Sequence, residues 1–384
     1  MLKFSAKIVF TVALLALTSL VQAKQVLIPA APQLAASGYL LIDAATGKVL
    51  VDHNATEQLP PASLTKLMTA YIVAGELDRG KMGESDMVDI SVKAWRMGGS
   101  KMFIREGTKV KLIDLLRGVI IQSGNDASVA LAEHIAGSEG AFVDIMNQQA
   151  ALLGMNDTNF ENSTGWPADG HLTTAHDLSL LARAVINDHP EFYKLYAEKY
   201  FRYNGINQPN RNKLLFRDKS VDGMKTGHTE AAGYCLVSSA RKNGMRLISV
   251  VMGTRSEEAR AAESQKLLSY GFRYYQTHKL YSAGDIVSSP KVWAGMADKV
   301  ELSITEDIFL TIPRGAQDSL EANLHIDDVI KAPIAQGLEL GNLTVSLDGE
   351  ELINTPLLAQ QSVAEAGFFS RLWDNLVLFF GGLF

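Results

Sequence analysis

Apolar positions recur with different spacings in successive segments of this 384-residue chain, and each spacing predicts a different element. Apolar residues on both sides of residues 44–48 flank a turn that contains Gly47, which predicts a hairpin. Pro60 and Pro61 then interrupt the chain. The following run over residues 62–73 is rich in Leu, Met and Ala and predicts a buried helix.

Helical spacing dominates three further segments: residues 110–153, 175–186 and 257 to about 277. Residues 234–240 and 246–252 are instead predicted to form two strands. Asn243-Gly244, a dipeptide typical of tight hairpins, lies between them. Strands near both ends with helices between them predict one α+β domain over about residues 24–280.

The pattern changes after residue 280. Short apolar runs now alternate with turn signals such as Pro313-Arg314-Gly315 and Asp348-Gly349. This spacing predicts a small all-β domain over residues 281–362. The domain has no cluster of His, Asp and Ser that would suggest chemistry of its own.

A last change of pattern marks residues 363–384, where aromatic and aliphatic residues recur at helical spacing. Arg371, Asp374 and Asn375 fall on the opposite face. One interpretation is a terminal helix whose apolar face packs on the protein's own core. We favour an amphipathic helix that lies in a membrane interface, because aromatic residues dominate its apolar face. The nearly uncharged polar face predicts little attraction to anionic lipid.

The first 23 residues have the features of a signal peptide. Lys3 and Lys7 precede an apolar run over residues 8–20, and Val21-Gln22-Ala23 is a small-residue cleavage site. An uncleaved membrane anchor is the alternative, but the run is shorter than the roughly 20 residues that span a bilayer. We therefore expect an exported protein.

Composition narrows the function further. A net charge of −6 and a pI near 5.8 give no support to a nucleic-acid partner. Cys235 is the single cysteine, so an intramolecular disulfide and a cysteine-rich metal site are excluded. The eight histidines show no metal-ligand spacing, and we predict neither a metal nor a cofactor. Cys235 lies in a predicted core strand and reads as a small buried hydrophobe.

Ser63 and Lys66 form the first of three motifs that carry chemistry. Residues three apart on a helix share a face, so the Ser63 hydroxyl and the Lys66 amine can meet. A serine needs a base beside it to act as a nucleophile, and an amine buried among apolar residues can be that base. The alternative is Ser63 as a helix cap with Lys66 extended into solvent.

The second motif is Ser123-Gly124-Asn125, where we expect the glycine to let the backbone turn sharply. A hydroxyl and a carboxamide on such a loop can relay a proton and bind a substrate amide. The alternative is a capping turn before a helix that starts near Asp126.

The third motif is Lys225-Thr226-Gly227, followed by His228. A cation and a hydroxyl on an edge strand suit a substrate carboxylate. We expect Gly227 to leave room for a ligand backbone to add alongside as a further strand. A surface strand with a solvated lysine is the alternative.

The three motifs occur in the order that characterises penicillin-binding proteins and class A β-lactamases. The sequences around them resemble the low-molecular-mass D-alanyl-D-alanine carboxypeptidases of the penicillin-binding protein 5 type. The resemblance extends to residues 208–212, 271–273 and 311–315. It implies a β-lactamase/transpeptidase-like domain with a five-stranded antiparallel sheet and a helical cluster, followed by an all-β domain and a C-terminal amphipathic helix.

The resemblance also implies roles for catalytic residues. Ser63 would be acylated by the penultimate D-alanine of a peptidoglycan stem peptide, and Lys66 would take its proton. Ser123 would pass a proton to the leaving D-alanine. Backbone N–H groups of Ser63 and His228 would form the oxyanion hole. β-Lactam antibiotics would acylate the same serine.

Substrate binding is implied for a second group of residues: Asn125 for the substrate backbone, Lys225 and Thr226 for the terminal carboxylate, Gly227 and His228 beside them, and Arg211 and Arg260 as further helpers. The implied location is the periplasmic face of the bacterial inner membrane, with peripheral attachment through the terminal helix.

Three alternative functions compete with this one. A β-lactamase of class A would need a deacylating glutamate, and Glu161 lies in the right part of the chain. Its sequence context lacks the pattern of that loop, so a solvated loop residue is the better interpretation. The same site could act as an endopeptidase or transpeptidase. A non-catalytic wall-binding scaffold is the third alternative.

Overall fold

The computed structural model describes residues 27–381, so the predicted signal peptide lies outside the described residues. Nine strands belong to the first part of the chain: β1 (Gly38–Asp43), β2 (Val49–His53), β3 (Met87–Asp89), β4 (Lys109–Lys111), β5 (Tyr200–Tyr203), β6 (Ile206–Pro209), β7 (Val221–Thr229), β8 (Gly233–Lys242) and β9 (Met245–Thr254). Five of them form an antiparallel sheet in the order β2-β1-β9-β8-β7. The predicted N-terminal and C-terminal strands therefore share one sheet, with β7 at its edge.

Local sequence explains two features of this sheet. The turn between β8 and β9 places Asn243 and Gly244 at φ of 52° and 82°, the left-handed pair that a tight hairpin requires. Strand β1 is buried along its whole length, because helices cover the sheet on both faces. An uninterrupted apolar strand is the pattern that such double coverage favours.

Nine α-helices accompany these strands: α1 (Lys66–Asp78), α2 (Val92–Arg96), α3 (Leu112–Arg117), α4 (Asn125–Ala136), α5 (Glu139–Leu152), α6 (Ala175–Asp188), α7 (Pro190–Tyr193), α8 (Leu214–Arg217) and α9 (Glu257–Tyr274). Helix α1 lies in the main core with α4, α5 and α6, on one side of the sheet. Helix α9 packs on the other side, where a Cβ at Gly271 would come within 2.6 Å of Leu247 and 2.9 Å of Leu41. Glycine therefore allows this helix to approach the sheet closely.

Two predicted helix boundaries are corrected by the structure. The helix expected over residues 62–73 begins as a 3₁₀ turn at Ala62–Thr65 and continues as α1 to Asp78. The helix expected to reach residue 277 ends at Tyr274. The next residues form strand β10 (Tyr275–Tyr281), because they find a partner strand in the second part of the chain.

The second part of the chain is a β domain. Its further strands are β11 (Ile286–Ser288), β12 (Val292–Trp293), β13 (Leu302–Ser303), β14 (Ile308–Pro313), β15 (Leu320–Ile326), β16 (Ile330–Lys331), β17 (Glu339–Leu347) and β18 (Glu350–Ala359). Five strands form a sheet in the order β11-β13-β18-β17-β15, and β10 pairs with β14. Their apolar residues form a core of their own, separate from the cores of the first part.

Polar contacts join the two parts next to the first hairpin. Thr46 and Thr311 share a hydrogen bond of 2.7 Å between their hydroxyls, and the Lys48 amine donates to the Thr311 carbonyl at 3.2 Å. The buried carboxylate of Asp43 accepts a hydrogen bond from Thr277 on β10. These contacts fix the start of the β domain against the edge of the large sheet.

Helix α10 (Phe368–Gly381) follows the β domain and turns its polar face, not its apolar face, toward the protein. The Ala294 N–H donates to the Asp374 carboxylate at 2.8 Å, and the Lys331 amine donates to the Asn375 side chain at 3.2 Å. Phe369 and Trp373 are 83% and 68% exposed. The interpretation in which the apolar face packs on the protein's own core is therefore wrong.

Within residues 27–381, no helix combines the length and the hydropathy needed to cross a bilayer.

Because the β domain has a core of its own, a mutation in that core is expected to destabilise this domain and not the first part of the chain. Leu343 is fully buried there, so Leu343→Ala should lower the free energy of unfolding of this domain by about 2–5 kcal/mol. Hydrogen exchange followed by mass spectrometry should show faster exchange in β17 and β18, with β8 and β9 unchanged.

Leu324→Ala is the matched control, since Leu324 lies on the neighbouring strand but is 43% exposed. Its effect should stay within about 0.5 kcal/mol. Equal acceleration in β8 and β9 by Leu343→Ala would show that the two domains unfold as one unit.

Candidate active site

The three motifs meet in one cleft between the edge strand β7 and the helical cluster. The cleft has a volume of about 810 Å³ and is lined by Ser63, Gly99, Ser100, Asn125, Thr164, Gly165, Trp166, Pro167, Arg211, His228, Thr229, Glu230 and Ala231. A smaller cavity of about 150 Å³ adjoins it and is lined by Ser63, Ser100, Ser123, Arg211, Thr226, Gly227, His228, Tyr234, Glu257 and Arg260. Lys66 and Lys225 are hydrogen-bonded to Ser63 and Ser123, which line these cavities. All ten predicted site residues therefore lie together.

Ser63 sits in the 3₁₀ turn that Pro61 starts, and Lys66 is the first residue of α1. The Lys66 amine lies 3.1 Å from Ser63 Oγ and 2.7 Å from Asn125 Oδ1, and it also donates to the Thr164 carbonyl. The Lys66 side chain is fully buried, and Ser63 makes no capping hydrogen bond. The alternative in which Ser63 caps a helix and Lys66 extends into solvent is therefore wrong.

Burial changes the acid–base behaviour of Lys66. Desolvation is the largest cause that lowers the pKa of its ammonium, the positive charge of Arg211 lowers it further, and the Asp126 carboxylate raises it. The resulting pKa is about 7. A large fraction of Lys66 is then neutral at physiological pH, so it can accept a proton from the adjacent serine hydroxyl.

The backbone around Ser123 differs from the expectation. Ser123 itself adopts the left-handed conformation, with φ of 62° and ψ of 34°, at the end of a π-helical turn over Gly118–Gln122. Gly124 has φ of −62°, so it is not the residue that makes the sharp turn. A Cβ at Gly124 would lie 2.8 Å from the Asp126 carboxylate, which shows that glycine is needed there for space.

Asp126 positions one wall of the cleft, a role that the sequence analysis missed. Its carboxylate is fully buried and accepts hydrogen bonds from the backbone N–H groups of Met102 and Phe103 at 3.0 and 2.9 Å. These bonds hold the loop that brings Ser100 into the cleft. An acidic residue in the first turn of α4 was the available signal, because carboxylates are favoured at helix N-termini.

Lys225 is buried and not a solvated surface lysine. Its amine donates to Ser123 Oγ at 2.8 Å and to the Thr226 carbonyl at 3.0 Å. Burial, followed by the positive charges of Lys66, Arg211 and Arg260, holds the pKa of Lys225 well below its ordinary value. The structure thus links the second and third motifs through the Lys225–Ser123 contact.

Gly227 has a different purpose from the one expected. A Cβ at this position would lie 2.9 Å from the Pro61 carbonyl and 3.3 Å from Ala62. Glycine therefore lets β7 approach the turn that carries Ser63, and the space is filled by the protein itself.

Two arginines line the smaller cavity. Arg260 donates to the Gly227 carbonyl at 3.1 Å, and its guanidinium lies 5.5 Å from the Tyr234 ring centroid. Arg211 donates to the Gln122 carbonyl at 3.0 Å. His228 is exposed and stacks on Tyr234 with 3.9 Å between ring centroids. Fixed cations in a cavity of this size can bind a carboxylate.

The loop over residues 160–172 supports the Ser63 turn, a role that sequence analysis did not find. The Glu161 N–H donates to His171 Nδ1 at 3.1 Å, so the proton of the neutral ring lies on Nε2, 2.8 Å from Thr65 Oγ1. Burial lowers the pKa of His171 to about 4, which keeps the ring neutral. A Cβ at Gly165, where φ is 78°, would lie 1.8 Å from the Ala62 carbonyl.

Glu161 is exposed, as expected for a solvated loop residue. Its carboxylate accepts a hydrogen bond from the Asn159 side chain at 2.7 Å, and it is absent from the lining of the described cleft.

Cys235 is fully buried, and its thiol donates to the Ala232 carbonyl at 3.4 Å. Burial raises the pKa of the Cys235 thiol to about 11, so the thiolate that a nucleophile needs is not formed at neutral pH.

Among residues 27–381, no group of three or more His, Cys, Asp or Glu side chains is arranged to hold a metal ion.

Comparisons with known proteins agree with this geometry. Residues 25–256 match the model of the D-alanyl-D-alanine carboxypeptidase family, and residues 275–365 match the C-terminal domain of penicillin-binding protein 5. D-alanyl-D-alanine carboxypeptidase DacA of Haemophilus influenzae is 43% identical over an alignment of 393 residues, gaps included, which covers 100% of each chain. D-alanyl-D-alanine endopeptidase of Escherichia coli is 31% identical over 62% of this chain and 78% of its own.

A solved structure is similar as well. Penicillin-binding protein 5 from Haemophilus influenzae superposes with a TM-score of 0.83 at 42% identity, over 88% of this chain and 100% of that one. The sheet, helical cluster, β domain and terminal helix define a serine hydrolase of the penicillin-binding class. The chain belongs to the D-alanyl-D-alanine carboxypeptidase family, and the expected fold is confirmed.

The electrostatics of Lys66 can be tested by removing the nearby positive charge. Because Arg211 lowers the pKa of Lys66, Arg211→Gln should raise that pKa above about 7. An NMR titration of lysine carbons labelled at Cε should show the shift directly. Lys299→Gln removes one charge from the β domain and should leave the titration unchanged. An unaltered or lowered pKa in Arg211→Gln would contradict the assigned cause.

Proposed function

We propose that this protein is a D-Ala-D-Ala carboxypeptidase that removes the terminal D-alanine from peptidoglycan stem peptides through an acyl-enzyme on Ser63. The observation that carries the proposal is the 3.1 Å contact between Ser63 Oγ and the buried Lys66 amine, whose pKa is about 7, at the floor of an open cleft. The family membership supports the same reaction.

Acylation begins when Lys66 takes the proton of Ser63 and the serine oxygen attacks the carbonyl of the penultimate D-alanine. The backbone N–H groups of Ser63 and His228 stabilise the oxyanion, a contribution of about 3 kcal/mol for each donor. Ser123 passes a proton to the leaving amine. The Lys225 amine lies 2.8 Å from Ser123 Oγ, and this hydrogen-bond contact supports the step because it lets the two groups exchange a proton.

Substrate binding follows from the edge position of β7. The outer side of this strand has no partner strand within the described part of the chain, so the stem peptide adds there in an extended conformation. Its terminal carboxylate binds to Thr226 and Lys225 at the smaller cavity, where Arg211 and Arg260 supply positive charge and the Lys225 amine contacts the Thr226 carbonyl. Asn125, which lines the wider cleft, holds the substrate backbone.

Water then releases the shortened stem from Ser63, and β-lactams acylate the same serine because they imitate the D-Ala-D-Ala end. The β-lactamase alternative lacks support, because Glu161 does not line the cleft in which Ser63 lies. Endopeptidase activity uses the same groups and differs only in the substrate. Two buried lysines next to serine hydroxyls argue against a non-catalytic scaffold, since an unused buried amine only costs stability.

The terminal helix supports a peripheral membrane location after export. Its polar face contacts the β domain through Asp374 and Asn375. The aromatic face is left exposed, where it can contact a lipid bilayer. Exposed apolar surface of this kind is typical of a helix that lies in the bilayer interface. The protein is then attached to the periplasmic face of the inner membrane, beside the wall.

The proposed reaction predicts a defined product and a defined adduct. Mass spectrometry of the mature protein with a pentapeptide stem should detect free D-alanine, and with penicillin it should detect a lasting adduct on Ser63. Ser63→Ala should lose both signals, with D-alanine release reduced about a thousandfold or more, because no other group replaces the nucleophile.

Ser319→Ala in the β domain is the control and should behave like the unchanged protein. D-alanine release that survives Ser63→Ala would refute the mechanism. Rapid hydrolysis of penicillin without an adduct would favour a β-lactamase, and cleavage of cross-linked stems in the same assay would identify an endopeptidase.

Membrane attachment predicts that deletion of residues 367–384 releases the protein from membrane vesicles into the supernatant. A full-length variant in which Phe369, Trp373 and Phe380 are replaced by Ser should be released as well, because the apolar area that enters the interface is lost. Sedimentation with vesicles measures both effects.

Leu152→Ser tests whether any exposed apolar residue matters, since Leu152 is 80% exposed but lies on α5 of the first domain. This variant should sediment normally. Unchanged sedimentation of the deletion variant would rule out the terminal helix as the anchor.

A further inference from the structure

Glu139 is the first residue of α5, and its carboxylate points toward the loop over residues 160–172. The side chain is 13% exposed. Its Oε1 accepts hydrogen bonds from the Ser163 N–H at 3.2 Å and from Ser163 Oγ at 2.8 Å, while Oε2 lies 2.8 Å from the Lys93 amine. One carboxylate thus holds both the backbone and the side chain of Ser163, a fully buried residue.

The carbonyl that binds the Lys66 amine belongs to the residue next to Ser163. Lys66 donates to the carbonyl of Thr164, which directly follows Ser163 in the chain. The Ser163 carbonyl accepts a hydrogen bond of 2.7 Å from Thr69 Oγ1, one helical turn beyond Lys66 on α1. Two successive carbonyls of the loop therefore bind α1, and Ser163 lies between that helix and Glu139.

Hydrogen bonds inside the loop cannot replace the contact with Glu139. The Asn162 side-chain oxygen accepts from the backbone N–H groups of residues 164–166 at distances of 2.8 to 3.1 Å. These bonds set the shape of the loop but do not fix its place in the protein. Helix α5 supplies that fixed reference, because Asn147 exchanges hydrogen bonds of 2.8 and 2.9 Å with the Phe160 backbone and Glu139 holds the loop beside the acceptor of the buried amine.

The Glu139 carboxyl is ionised in this environment. Burial raises its pKa, but the hydrogen bonds from Lys93 and Ser163 and the positive charge of Lys93 lower it, and the net pKa is below its ordinary value. Hydrogen bonds to an ionised acceptor are stronger than those between neutral groups. A mostly buried carboxylate is also costly without partners, so the local structure favours keeping Ser163 against it.

The acid–base behaviour of Lys66 depends on the place of the Thr164 carbonyl. The amine is fully buried, so its acceptors come from the protein. An acceptor stabilises the ammonium form and opposes the effect of burial on its pKa. If the Thr164 carbonyl moved away, the pKa of Lys66 would fall below about 7, and the amine would no longer be held toward Ser63 Oγ.

We propose that Glu139 is a positioning residue for the acylation of Ser63. Through Ser163 it holds the Thr164 carbonyl against the Lys66 amine. Glu139 is absent from the lining of both described cavities, so it lies outside the substrate site. The inference rests on the proposed function, in which Lys66 takes the serine proton, and adds a residue outside the three motifs to that machinery.

The test compares Glu139→Ala with Glu139→Gln. Alanine removes every side-chain contact with Ser163, whereas glutamine keeps one oxygen that can accept both hydrogen bonds. In Glu139→Ala the pKa of Lys66 should fall below about 7, as followed by NMR of lysine carbons labelled at Cε. Acylation of Ser63 by penicillin should slow about tenfold, the effect of one lost hydrogen bond to a charged group.

The pH dependence of acylation gives a signature that a loss of stability alone would not produce. The rate rises with pH as Lys66 loses its proton, so the midpoint of that rise should move to lower pH in Glu139→Ala. Glu139→Gln should keep the midpoint, with a rate within about twofold of the unchanged protein. Arg211 and Asp126, whose charges also act on the pKa of Lys66, are the same in all variants.

Glutamine separates the position of the acceptor from the charge of Glu139. Loss of the negative charge alone would affect Lys66 equally in both variants, so Glu139→Gln behaving like Glu139→Ala would overturn the proposal. Ser163→Ala removes the Oγ hydrogen bond and leaves the backbone one. It should change both readouts in the same direction by a smaller amount, and it decides the question if Glu139→Ala does not fold. An unchanged pKa of Lys66 in the folded variants also refutes the proposal.

Glu76→Ala is the matched control. Glu76 is another mostly buried glutamate with ion pairs, but it pairs with Arg79 and Lys81 at the far end of α1. The acylation rate and its midpoint should stay unchanged, and thermal unfolding shows whether each variant is folded.

A failure of the proposed function looks different from a failure of this inference. In that case the unchanged protein is not acylated on Ser63 and releases no D-alanine. The titration of Lys66 needs no turnover, so it still reports whether Glu139 holds the Thr164 carbonyl in place.

Discussion

The burial of the Lys66 amine is the constraint on which the active-site half of the molecule depends. An ammonium in a dry interior is costly unless neutral acceptors or a counter-charge surround it. Here Ser63 Oγ, Asn125 Oδ1 and the Thr164 carbonyl surround it, and its pKa falls to about 7. Because the three acceptors come from a 3₁₀ turn, the start of α4 and the loop over residues 160–172, all three elements must be held in place.

Several otherwise unusual features serve this arrangement. The left-handed Ser123, the buried carboxylate of Asp126 and the neutral ring of His171 each fix one of the elements around the amine. Gly165 and Gly227 allow the loop and the edge strand to approach the Ser63 turn closely. The same packing brings Lys225 to Ser123, so that a second buried amine completes the site. Catalytic geometry and core packing are therefore inseparable here.

The β domain and α10 follow a simpler physical rule. The domain has its own apolar core, and a few polar contacts around Thr311 and Asp43 attach it to the large sheet. Helix α10 pairs its few polar groups with the β domain, which leaves its aromatic face exposed. The sequence predicted the amphipathic pattern but could not tell which face the protein covers, because that depends on donors such as the Ala294 N–H.

Sequence alone was sufficient for the α+β order of elements and the Asn243-Gly244 hairpin, because turn chemistry and periodicity are local properties. The motifs and the family resemblance also pointed to ten residues that the fold places around one cleft. Sequence analysis misplaced the sharp turn on Gly124 and the end of α9, because strain at Ser123 and the pairing of β10 arise from distant contacts. Only the tertiary structure revealed the burial of Lys66. The pKa of an amine is set by the solvent and charges around it, and those are assembled by folding.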